Sequence, residues 1–62
     1  MSMAAFQRAY ALEPHSCTNR YNLALGLSLL GNAKDARPLL EACTNDPALS
    51  ARVRVELEKL PR

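Results

Sequence analysis

His15 and Cys17 are the one nucleophile–base pair that stands close together in the chain. A thiol beside an imidazole can begin a cysteine-nucleophile site if the base reaches the sulfur and a carboxylate orients the base. Two residues apart at a helix start, these side chains do not face each other, and no orienting carboxylate is adjacent. The spacing predicts a turn histidine beside a half-exposed cysteine. A metal site fails on the same residues, because His15 is the only histidine and no third ligand stands near. Cys43 falls on an apolar helix face and reads as a small core residue. Gly26 and Gly31 are isolated, so no glycine-rich phosphate loop exists. The expectation is no enzyme, no cofactor and no metal.

The remaining charges are no better placed for chemistry. Arg52 and Arg54 stand four residues before Glu56 and Glu58, which predicts a charge-paired exposed helix face; the alternative is a patch that binds acids. Formal charge is +2, from eight Lys/Arg against six Asp/Glu. That is too mild for nucleic acid or an anionic membrane. The first eight residues, Met1 to Arg8, lack a basic start followed by an apolar run, so no secretory signal is read there. The longest nearly apolar stretch, Leu23 to Leu30, is far too short to span a bilayer. The default is a soluble, cytoplasmic protein with both thiols reduced. Cys43 is expected to be buried and slow to alkylate, and Cys17 faster. A bridge between them stays open geometrically, since one lies at the start of a helix and the other near the end of the antiparallel next.

Four helical segments position these residues. The first runs from about Met3 to Leu12, with Met3, Phe6, Ala9, Tyr10 and Glu13 at helical spacing. Pro14 stops it, and Ser16 can cap the next. The second, about Cys17 to Leu30, carries one stripe of Leu23, Ala24, Leu27 and Leu30. A neighbouring face carries Tyr21, Leu25, Ser28 and Leu29. A helix apolar over so much of its circumference is flanked on two sides. Gly31 supplies a left-handed terminus, and Asn32 can open the next turn. The third covers roughly Ala33 to Thr44, burying Ala36, Leu39, Leu40 and Cys43. Pro38 favours a loose start that tightens near Asp35.

Ala48 to Leu60 is the ambiguous segment. Arg52 to Glu58 alternates as a strand would, but Leu49, Val53, Leu57 and Leu60 form a helical stripe. Asp46-Pro47 is a good helix opening, and no second strand exists to pair with. Helix is expected.

At an offset of about 34 residues, a period typical of helix-pair solenoids, Phe6 falls on Leu40, Ala9 on Cys43, and Glu13-Pro14 close to Asp46-Pro47. Arg20-x2-Leu23-Ala24-x2-Leu27, then Ala36-x3-Leu40, then Pro47, resembles the tetratricopeptide repeat. Gln7 to Pro14 resembles the end of a preceding repeat. Departures are Arg20 for an aromatic, Leu27 for tyrosine, and Pro47 one residue early. Cys43 takes a slot where the family has alanine. The resemblance implies an all-α fold of antiparallel helix-turn-helix units, an α-solenoid fragment. Residues 1–14 would be the second helix of one repeat, 16–47 a complete repeat and 48–60 a terminal or capping helix. Such units rarely stand alone, with about three needed for stability. The chain is expected to belong to a longer array, to self-associate, or to pair with a partner.

In this family the first helix of each repeat lines a concave groove that takes peptides or helices. The resemblance therefore implies an adaptor or scaffold surface at Thr18, Tyr21, Asn22, Leu25, Ser28 and Leu29. Tyr21, Leu25 and Leu29 follow four-residue spacing and are expected to face outward; the alternative is that Leu25 and Leu29 pack on a neighbouring helix of the same chain. The family's carboxylate clamp would need Lys at Tyr21 and Asn at Leu25; only Asn22 fits, so an apolar ligand is expected. The expected partner is a protein or peptide, with self-association through the same surface as the alternative, and no nucleic acid or membrane.

Overall fold

Pro14, Gly31 and Pro47 punctuate the chain, and helices form between them. The computed structural model describes residues 3–61, and the reading of Met1 and Ser2 as free of a secretory signal lies outside them. The helices are α1 (Met3–Leu12), α2 (Cys17–Leu29), α3 (Ala33–Glu41) and α4 (Ser50–Lys59), with no strand among the described residues. Each packs on its sequence neighbour. No helix is long and apolar enough to cross a membrane among these residues.

The local signals for α2 act as their chemistry requires. Ser16 Oγ accepts from the Asn19 N–H at 3.3 Å, satisfying a donor the first turn leaves orphaned. At the other end Gly31 adopts φ 80°, where an L side chain is strained. The Asn32 N–H then reaches the Leu27 carbonyl at 2.8 Å and the Gly31 N–H the Ser28 carbonyl at 3.0 Å. That pair of bonds is a Schellman terminus.

The core lies between α2, α3 and α4. Ala24, Ala36, Leu40, Cys43, Val53 and Leu60 are buried together, with Leu39, Leu49 and Leu57 packed against them. The helical stripe of the last segment is thus the one that reaches the core, which is why its strand-like alternation does not prevail. Leu30 departs from its expected stripe. It caps α2 and points to solvent at 70% exposure, because the chain has already turned toward Gly31.

Three boundaries differ from expectation. α3 begins at Ala33 rather than tightening near Asp35, so Pro38 is interior and offers no N–H to the Lys34 carbonyl. An interior proline costs about 3 kcal/mol, whereas burying a leucine such as Leu40 contributes about 1.5–3 kcal/mol. With Ala36 and Cys43 buried beside Leu40, packing outweighs the break. α3 also ends at Glu41, before the expected Thr44, since the Cys43 N–H bonds to Leu40 and tightens the chain into a turn. Asp46 then opens the last helix. Its Oδ1 accepts from the Ala48 N–H at 2.9 Å, and its carbonyl accepts from Leu49 and Ser50 at 3.1 and 2.8 Å. This irregular first turn delays regular helix to Ser50.

α1 is covered on one side only. Met3, Phe6, Ala9 and Tyr10 are half-buried against α2, Glu13 is exposed, and no α1 residue is fully buried. Polar side chains secure its corner instead. Asn19 Nδ2 donates to the Ala9 carbonyl at 3.0 Å, and Arg20 Nε donates to the Pro14 carbonyl at 2.7 Å.

The thiols correct an expectation. Cys17 and Cys43 are joined in a disulfide, with Cα atoms 5.7 Å apart, so neither is a free thiol. The antiparallel course of α2 and α3 brings the start of one beside the end of the other. A Cα separation in this range suits a bridge.

Candidate functional site

An apolar cavity of about 390 Å³ lies between the second half of α2 and the end of α4. Leu25, Ser28 and Leu29 form one wall. Glu56, Lys59, Leu60 and Pro61 form the other, with Gly31 and Ala33 closing the end. Two devices position these walls. The Gly31 terminus turns the chain so that α3 runs back against α2. Arg37 Nη2 then donates to the Pro61 carbonyl at 2.9 Å, which holds the segment after α4 against α3.

The cavity has a size and composition suited to a ligand, since binding pockets are mostly apolar with a few polar groups. Leu29 is 89% exposed at its edge, beside the half-buried Leu25. Ser28 Oγ is shielded from water and has no hydrogen-bond partner among the described residues. Buried polar atoms are nearly always paired, and leaving one unpaired costs about 1–3 kcal/mol. Lys59 Nζ pairs with Glu56 Oε2 at 3.2 Å on the rim. This is the ion pair formed among the described residues, in place of the expected Arg52–Glu56 and Arg54–Glu58 pairs. Lys59 is exposed, whereas the Glu56 side chain is only 18% exposed, so the carboxylate of this pair is partly covered.

The structure brings together three of the six residues singled out from sequence. Leu25, Ser28 and Leu29 share the cavity wall. Tyr21 does not stand free as expected. It is half-buried against the core and borders a smaller hollow of about 230 Å³ with Ala51, Arg52, Val55 and Glu56. Its ring is large enough to reach both the core and α4. Thr18 is exposed a turn or more away, and Asn22 is half-buried; neither lines the main cavity. The α4 wall was missed from sequence. Glu56 was expected on an exposed charged face with Arg52, Arg54 and Glu58; it is half-buried instead, on the cavity wall.

The cysteine–histidine pair has no catalytic form here. The Cys17 sulfur is committed to the bridge, and His15 is exposed in the turn. Among the described residues, no group of three His, Cys, Asp or Glu side chains could hold a metal ion. No protein-family model, curated protein or solved structure matches the chain.

Proposed function

We propose that the chain is a protein-interaction module of tetratricopeptide-repeat type, which takes an apolar peptide or helix of a partner in the groove between α2 and α4. In that reading α2 is the first helix of the complete repeat, the element that lines such a groove, and α4 is the terminal or capping helix that forms its other wall. The observation that carries it is the α2–α4 cavity, with exposed Leu29 at its edge and the unpaired Ser28 hydroxyl on its wall. Apolar side chains of a partner would fill the space between Leu25, Leu29 and Leu60.

Selection from a displayed peptide library against the full chain tests this. Recurrent apolar anchors in the selected peptides, with binding lost in Leu29→Ser, are expected. Selected peptides that bind Leu29→Ser as well as the parent would sink the groove assignment.

Self-association is the second reading, favoured by one observation. Leu12 and Leu30 are 73% and 70% exposed, and α1 is open on its outer side. Light scattering separates the two: the groove reading expects a monomer at micromolar concentration, and the second reading a stable dimer.

A further inference from the structure

The Cys17–Cys43 bridge joins the first residue of α2 to the turn that follows α3, across 26 positions of sequence. The two sulfurs sit in unlike surroundings. Cys43 is 1% exposed, within the cluster of Ala24, Ala36, Leu40, Val53 and Leu60. Cys17 packs on the edge of that cluster and is only partly buried. We propose that this bridge is a permanent staple, closed as the chain folds and kept by the folded protein, and that the chain therefore matures and works in an oxidising compartment.

The chemistry separates making the bond from breaking it. In the open chain, one cysteine thiolate attacks a small disulfide such as glutathione disulfide, forming a mixed disulfide and releasing one glutathione thiol. The second cysteine thiolate displaces the other glutathione. Two cysteine thiols are oxidised, one disulfide is reduced, and the two protons leave with the glutathione. In the folded chain the reverse has two routes, and both are obstructed. A glutathione thiolate cannot reach the Cys43 sulfur, which is enclosed. Attack on the Cys17 sulfur must expel Cys43 as a thiolate into an apolar core, where an unpaired charge is very costly. Either route requires the turn after α3 to lift from α2 first.

This placement runs against the cytoplasmic, reduced state that composition suggests, because lasting disulfides belong to oxidising compartments. It does not depend on the groove, since it concerns the opposite end of the α2–α3 hairpin from Gly31.

Three measurements bear on it, all with the full chain. Oxidised protein is treated with reduced glutathione in native buffer and in urea, and new thiols are trapped with a maleimide and weighed. Reduction in native buffer slower by on the order of 100-fold or more is expected, since it must wait for local opening. Equal rates in the two buffers would overturn the staple. The variant carrying Cys17→Ser and Cys43→Ala should melt lower by about 15 °C, from the loop entropy of a bridge this long in a small domain. Failure of that variant to fold also supports the staple, whereas melting with the parent contradicts it. Finally, alkylation before lysis in the cells that make the protein should recover it bridged. Recovery with both cysteines alkylated would overturn the compartment.

Discussion

Gly26 of α2 lies directly beneath Met3 of α1: a Cβ built on the glycine would stand 2.6 Å from Met3 Sδ and 3.3 Å from Phe6 Cδ2. The glycine is buried, and its missing side chain sets how closely α1 can settle. Gly26→Ala needs the flexible end of Met3 to move and the Phe6 ring to give by a few tenths of an ångström, while alanine favours helix by about 1 kcal/mol. The two effects should nearly cancel. Gly26→Leu cannot be absorbed that way and should cost about 1–3 kcal/mol by prising α1 from α2. Urea titration of both variants reads the difference. Equal stability of Gly26→Leu and the parent would show that α1 does not rest there.

The small residues in the core make a sharper case. Ala24 and Ala36 are both fully buried, in a cluster that also holds Leu40 and Val53. Enlarging either to leucine should destabilise by about 1–3 kcal/mol through overpacking. Thermal melting followed by circular dichroism checks this. If both leucine variants melt with the parent, the close approach of α2 and α3 at these positions is wrong.

Those two alanines were legible in the sequence, and Gly26 was not. Periodicity marks which residues share a face, so the stripes of Ala36, Leu40 and Cys43 and of Leu49, Val53, Leu57 and Leu60 could be read directly. Ser16 and Gly31 were readable because caps and left-handed termini demand particular residue types. What could not be read depends on contacts between elements. Asn19 and Arg20 bond to carbonyls across a loop, which leaves no periodic trace. The bridge needed the register of α2 against α3, which spacing alone leaves open. On the candidate site, Leu25 and Leu29 followed from four-residue spacing, while the opposite wall required knowing how α4 folds back.

Exposed and buried residues of α2 and α3 should part company on mutation. Leu29→Ser removes a side chain that is 89% exposed and should change stability by no more than about 0.5 kcal/mol. Leu40→Ala empties a core position and should cost about 2–5 kcal/mol. Tyr21→Ala belongs with the core changes, because its ring packs on the central cluster. Melting curves for the three variants side by side decide it. A Leu29→Ser protein as unstable as Leu40→Ala would make that wall a structural one.

Occupation of the α2–α4 groove by a partner can be read by mapping a library-selected peptide onto the isotope-labelled chain by amide chemical-shift perturbation. Surfaces built to bind concentrate their energy in a few exposed apolar anchors beside a pocket. The largest shifts should therefore fall at Leu25, Ser28 and Leu29 of α2 and at Glu56, Lys59 and Leu60 across the cavity, with Met3 to Arg8 unmoved. Shifts concentrated on α1, at Met3, Phe6 and Leu12, or no saturable shift with any selected peptide, would rule out the α2–α4 groove as the docking site.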